Sequence, residues 1–523
     1  MFGKKAHRFI YTATLILLAI SIPISVALPN VLGGVLFCNW ILEWNWKEKW
    51  NLLKSNKLVL VLAGFFFCFG YTFIGTTDAA ATALDWLTKT PFFYLPVVMA
   101  TTPKPEVRWQ RFLLLAFAIT TSVAAALCIL LMRAKGVIDV RDGGLFISHI
   151  RFSICAALSI LFCLHLAFKR ETYSALVQGG CLLMTLWLTI YLFYIQVSTG
   201  VAMLAIMAVI TFCYQLFYGK KSLIRTLALC FCGGAFLIFA TCFSVVTYQY
   251  FHYDKNEETG LPARTIDGHD YQHLSPQFPD GQIVENGHKI GLYVCEEELR
   301  EAWAQRSDST YESVQKTLIR FLNSKNYHKD KQGVSRLTDE EVKAIEDGVA
   351  NSAYLQQLGL KKMLYPSYFS FSLYQLNHTT KNSSVLQRFE LWQAAIGAGK
   401  QHPIVGCGMA CNKAAINREL ERQHSELQPD MGAHNQFLTY FLMGGIPLVL
   451  CFIVMLVAPF FDKTRKKNLV YVIFWLCLFV SMFFEDTLET TTGINLFLLF
   501  NSFFLFANDG EVGSRRQEAG SRK

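Results

Sequence analysis

Residues 434–461 read HNQFLTYFLMGGIPLVLCFIVMLVAPFF. From Gln436 onward the stretch holds no Asp, Glu, Lys or Arg, and its apolar residues are continuous, not spaced along one face. A run of that kind is a membrane helix, because about 20 apolar residues are needed to cross the hydrocarbon core. A histidine and an asparagine stand directly before it, where a long polar segment gives way to lipid.

The same signature recurs on both sides of this stretch. About twelve apolar runs stand out by hydropathy: 8–28, 30–43, 57–75, 79–100, 111–132, 151–168, 174–196, 199–217, 225–247, 436–461, 468–485 and 491–507. The composition agrees, since a chain that is 53% hydrophobic and only 17% charged is more apolar than a soluble protein of this length requires. The second run is short and interrupted by Gly33, Gly34 and Asn39. The first follows Lys4, Lys5 and Arg8 as a signal peptide would, but its length and the lack of a small-x-small cleavage site favour a retained helix.

Lys and Arg set the orientation. With twelve spans, the N-terminal group, Lys47, Lys49, Lys54 and Lys57, Lys104, Arg108 and Arg111, Lys169 and Arg170, Lys220, Lys221 and Arg225, Lys463 to Lys467 and the C-terminal tail all fall on one side. That side is the cytoplasm, so both termini are cytoplasmic. The segment at 248–434 then faces outward, which in a bacterium is the periplasm. The net charge of +9 is topology, not a nucleic-acid footprint, and no nucleic-acid partner is expected. The expected fold is all-α: a polytopic inner-membrane protein of about 12 transmembrane helices with a large, mostly helical periplasmic loop between helices 9 and 10. Its parts are helices 1–9 over 1–247, the loop over 248–434, helices 10–12 over 435–510 and a cytoplasmic tail over 511–523.

The outward segment carries helical patterning of its own. Leu299, Ala302, Trp303, Tyr311, Val314, Leu318 and Phe321 recur at helical spacing and predict a helix over 297–323. Thr338 with Glu341 three residues on predicts a capped helix start. A further helix is expected over 384–398, and 252–292, rich in Gly, Pro, Asp and His, is expected to be irregular. Nearly all of the 15 cysteines lie inside apolar runs, so no disulfide framework is expected; Cys407 and Cys411 are close enough in sequence to pair, but an i,i+4 bridge strains a helix. No metal site or cofactor is expected.

The chemistry is concentrated where the polar segment ends. Ser384, Arg388 and Trp392 are spaced to share one helix face. Arg388 offers a fixed positive fork suited to phosphate oxygens; the plain alternative is a surface Arg packed on Trp392. His434 has a side chain that can take a proton from a hydroxyl near neutral pH, and Asn435 can orient a substrate; alternatively the pair caps the following helix. Between them lies the Gly-rich turn Pro403-Ile404-Val405-Gly406-Cys407-Gly408. Arg141, His149 and Arg151 stand at the outer mouth of the sixth run, against the charge rule, and are read as holding a pyrophosphate or anchoring a headgroup. Glu485, Asp486 and Glu489 close the eleventh run and are read either as partners for Arg388, Arg151 or His434 or as a solvated loop. Together these groups suggest chemistry on an anionic, lipid-linked substrate at the bilayer surface.

These residues resemble a known family. Arg388-x-x-x-Trp392, Pro403-x-x-Gly406-x-Gly408, His434-Asn435-x-Phe437-Leu438 and Gly444-Gly445 are similar to the C-terminal signature of the O-antigen ligase and polymerase superfamily. Ser148-His149-Ile150-Arg151-Phe152-Ser153 resembles its earlier Arg-bearing motif, and Glu485-Asp486-Thr487-Leu488-Glu489 before a Phe-rich last span fits as well. The resemblance implies a metal-independent, inverting, integral-membrane glycosyltransferase. Its donor would be a glycan on undecaprenyl pyrophosphate, and its acceptor a hydroxyl of lipid A–core for a ligase, of the growing chain for a polymerase, or of a protein for an O-oligosaccharyltransferase. Carried over, Arg151 and Arg388 would hold the pyrophosphate and His434 would activate the acceptor. Many members place an Arg at the mouth of the eighth span, where this chain has Ser198-Thr199-Gly200. Arg141 would then compensate, or the grip would be weaker.

Two other classes stand beside this reading. A transporter or flippase suits twelve spans but would need ionisable groups at the midplane, for which Asp85 with Lys89 is the clearest candidate. A non-catalytic assembly or sensor protein would use the outward segment to bind a partner.

Overall fold

A computed structural model of the chain describes residues 3–135, 146–168, 174–195, 197–218, 222–356, 359–380, 383–427, 430–461 and 468–507. Among these residues the regular structure is helical apart from one two-stranded sheet. The first ten helices are α1 (Lys4–Ser21), α2 (Leu28–Leu42), α3 (Trp46–Ser55), α4 (Lys57–Cys68), α5 (Ala79–Thr88), α6 (Pro91–Thr101), α7 (Val107–Lys135), α8 (His149–Ala167), α9 (Ala175–Ile195) and α10 (Ser198–Tyr218). Six follow: α11 (Leu223–Phe251), α12 (Glu296–Ala304), α13 (Tyr311–Ser324), α14 (Lys331–Ser335), α15 (Asp339–Glu346) and α16 (Leu360–Asn377). The last five are α17 (Ser384–Gly399), α18 (Asn412–Arg422), α19 (Gln436–Val457), α20 (Leu469–Ser481) and α21 (Thr491–Ser502). Two compact units result, one of Met1–Lys220 with Arg388–Lys523 and one of Lys221–Gln387.

Among the described residues six helices are long and apolar enough to cross a membrane: Val107–Ala134, His149–Ala167, Ala175–Ile195, Thr199–Phe217, Cys232–Glu258 and Gln436–Phe461. The bent pair Trp46–Ser55 and Lys57–Phe73, turned by 96°, makes a seventh if counted as one span. The other expected runs are shorter or broken. Leu28–Leu42, Leu469–Ser481 and Thr491–Ala507 are apolar but brief, and a count of about twelve would need these, the first run and the run 79–100 all to cross. The run 79–100 is not one helix. It breaks between α5 and α6 at Lys89 and Thr90, with Pro91 starting the second piece. Lys89 is buried at the break and pairs with Glu489, while Asp85 is exposed and takes no part.

The first unit has a core of interlocked aromatic and aliphatic side chains, such as Phe117, Phe162, Phe500 and Phe504 on α7, α8 and the last helix. Its decisive irregularity is in α19. Pro447 has no N–H to give the carbonyl of Met443, and the helix opens at Gly444 and at Gly445, which has φ of +65°. The turn 403–408 fills the opening as a strand would. Cys407 N–H donates to Leu442 O (2.7 Å), Gly408 N–H to Met443 O (3.0 Å), and Ile446 N–H to Pro403 O (2.8 Å). Gly406 and Gly408, at φ of +72° and +91°, let this backbone lie against α19 and against Thr76. The Gly-rich turn is thus built to repair a broken helix.

The second unit packs Trp303, Leu318, Phe321, Leu322 and Ile345 from α12, α13 and α15 into a core. The Thr338–Glu341 capping box is present at the start of α15. The helix expected over 297–323 is two, α12 and α13, because 307–310 turns on side-chain bonds: Trp303 Nε1–H donates to Ser309 Oγ (3.1 Å) and Ser307 Oγ accepts from Ser309 N–H (3.0 Å). The stretch 252–292 is irregular except for 3-10 turns and the hairpin Val284–Glu285 with His288–Lys289. Glu285, fully buried, is held by both nitrogens of the Arg320 fork at 2.9 Å and by Asn351.

Candidate functional site

The site is organised by the connection between α20 and α21, residues 482–490. This segment places three carboxylates, Glu485, Asp486 and Glu489, at the ends of apolar helices, where each needs a partner. Their partners come from elsewhere in the first unit and include the main residues singled out above.

Glu485 is buried and accepts on both oxygens. Arg388 Nη2 lies 2.7 Å from Oε1, and His434 Nδ1 lies 3.4 Å from Oε2. Arg388 Nε–H also donates to Phe484 O (3.0 Å), so the guanidinium is fixed at two points. Burial pushes the Glu485 carboxyl up, but His434 and then Arg388 outweigh it and leave it below the usual glutamate range. Two residues 46 positions apart in sequence, one cationic and one a potential base, are thereby brought onto one carboxylate.

His434 is held in an uncommon backbone conformation, φ +47°, just before α19. Asp486 pins it there. Its Oδ2 accepts from His434 N–H (3.1 Å), and its Oδ1 accepts from Asn435 N–H (3.1 Å) and from Thr439 Oγ1–H (2.7 Å). Burial raises Asp486 above the usual aspartate range, against the pull of Thr439 and His434. Asn435 is the N-cap of α19: its Oδ1 accepts from Phe437 and Leu438 N–H, and its Nδ2 donates to Phe483 O. The capping alternative is therefore realised at Asn435, while the imidazole of His434 is turned to Glu485.

Arg388 and Trp392 lie on one face of α17 and both meet Phe484, the indole ring at 6.2 Å between centroids. The Trp392 indole N–H is buried and finds no acceptor among the described residues. Ser384 is the first residue of α17, exposed, and falls on the other side of the division between the two units. Arg151, on the first turn of α8, is attached to the far end of the same connection: Nε–H donates to Thr490 Oγ1 (2.9 Å) and Nη1–H to Ser148 Oγ (2.9 Å). His149 begins α8, half-buried. Arg141 lies outside the described residues. Cys407 and Cys411 are both free thiols. Among the described residues no three His, Cys, Asp or Glu side chains gather as metal ligands would.

Sequence reasoning did not find Thr439, Thr490 or Gln436. A hydroxyl or amide inside an apolar run gives no signal until its tertiary neighbour is known. The central place of Glu485 was also only one of several options.

Residues 351–453 match the family model described as O-antigen ligase. That stretch is what the chain shares with O-antigen ligases. That match supports the O-antigen ligase and polymerase superfamily, whose members are membrane glycosyltransferase-like enzymes. The matched residues include Arg388, Trp392, the turn at 403–408, His434 and the break at Gly444–Gly445. Glu485, Asp486 and Arg151 lie outside them. No curated protein matches the chain.

Proposed function

We propose that this chain transfers a glycan from undecaprenyl pyrophosphate to an acceptor hydroxyl at the periplasmic face of the inner membrane, as an O-antigen ligase acting on lipid A–core. The observation that carries the reading is the shared carboxylate: Arg388 and His434 meet on Glu485. With Nδ1–H donating to Glu485, His434 presents Nε2 as the proton acceptor, and the carboxylate stabilises the imidazolium that forms. The acceptor oxygen attacks the anomeric carbon from the side opposite the pyrophosphate. The bond from that carbon to the phosphate oxygen breaks, its electron pair leaves with the pyrophosphate, and the hydroxyl proton passes to His434. Configuration inverts.

Charge builds on the departing pyrophosphate, and Arg388, with Arg151, opposes it with fixed cations in a partly dry site. The leaving group is good, so the imidazole need supply only a general-base factor of roughly 10²–10⁴. Trp392, whose indole N–H has no acceptor among the described residues, fits a sugar through one ring face and one donor. His149 and Arg141 are the further candidates for holding the pyrophosphate.

The test is a glycan gel of a deletion strain complemented with H434A and R388A variants expressed at the wild-type level. Loss of polymer from lipid A–core, with lipid-linked polymer accumulating, is the expected result; normal decoration by H434A overturns the base assignment. Single repeat units on lipid A–core in the deletion strain favour a polymerase. Unchanged lipopolysaccharide with loss of a glycoprotein favours protein transfer.

A further inference from the structure

Lys89 is the one lysine carried by the break between α5 and α6, and the proposed chemistry does not use it. It is 1% exposed and, with Lys49, one of two lysines buried in the first unit among the described residues. Its Nζ donates to Leu488 O and to Glu489 Oε2, both at 2.8 Å, and lies 5.8 Å from the centre of the Phe69 ring. Gln436 completes the arrangement: its Nε2 donates to Glu489 Oε1 (3.0 Å), and its Oε1 accepts from Leu488 N–H (2.6 Å). Its own N–H donates to Met482 O (2.8 Å). Both backbone groups of Leu488 and both oxygens of Glu489 are thus held, three and four residues beyond Glu485. A buried pair of this kind is weak evidence for stability, since desolvation cancels most of its attraction. What it does well is fix one geometry.

We infer that Lys89 is a positioning residue for transfer: by clamping Leu488 and Glu489 it sets where Glu485 meets Arg388 and His434. This rests on the glycosyl-transfer reading above. The contact is made at the break itself, between α5 and α6.

A merely structural lysine and a positioning one differ in their coupling to Glu485. The experiment compares the transfer rates of K89M, K89R, E485Q and K89M/E485Q as purified full chains. The expected result is a drop of tenfold or more for K89M and a rate near wild type for K89R. The double variant should fall no further than E485Q alone, since both changes remove the same contact. Losses that multiply, or a K89R rate as low as that of K89M, overturn the inference while leaving the function intact. Full transfer by H434A and R388A would instead overturn the function itself. If K89M does not fold, E489Q, which weakens the same clamp from its other side, is read by the same criteria.

Discussion

At the scale of residues, the site depends on how three carboxylates are shared. Glu485 is the point through which Arg388 and His434 communicate, so E485Q should cost more in rate than in stability: about tenfold or more in transfer, with the folded fraction preserved in detergent. Asp486 has a different task. Its three donors hold His434 in the left-handed region, and D486A releases that backbone and leaves buried N–H groups without acceptors. We expect about 1–3 kcal/mol of lost stability together with lost activity, seen as a lower unfolding midpoint. Arg388 and His434 were legible in the sequence because each is a rare polar type at a membrane boundary. Their common partner was not, because Arg388 and Glu485 are 97 positions apart and nothing local connects them.

At the scale of elements, the long apolar runs could be read directly and the interruptions could not. A hydropathy window averages one lysine into its surroundings, so 79–100 read as a single span although the helix breaks at Lys89 and Thr90, where Lys89 pairs with Glu489. In the same way, helical spacing continues across 307–310 while local side-chain bonds turn the chain there. The capping box at Thr338 was legible because its whole logic lies within four residues. T338A should cost about 1 kcal/mol of stability, read from hydrogen exchange on α15 in the full chain. The break in α19 makes a stronger prediction. A Cβ at Gly445 would run into the Ile404 carbonyl and would sit at a φ that L side chains avoid, so G445A should destabilise by about 2 kcal/mol or more, with activity lost in proportion to folded protein.

At the scale of the whole molecule, the all-helical class was evident from composition, whereas the number of crossings was not, because several apolar helices are shorter than a bilayer is thick. The second unit supplies a pH test of its own. Lys329 is buried with its ammonium on Asn323 Oδ1 (2.8 Å), and burial pushes its pKa down to about 7. That lies below the unfolded value of about 10.4. Between the two the unfolded chain binds the extra proton, so stability should rise with pH from about 7 upward and level off below it. K329M should flatten this slope, as followed by hydrogen exchange on α13 in the full chain between pH 7 and 9. The break in α19 also dictates an order of biogenesis. The carbonyls of Leu442 and Met443 cannot be left bare in oil, and their partners at Cys407 and Gly408 are made earlier on the ribosome. The turn must therefore be docked before the opened part of α19 can be surrounded by lipid.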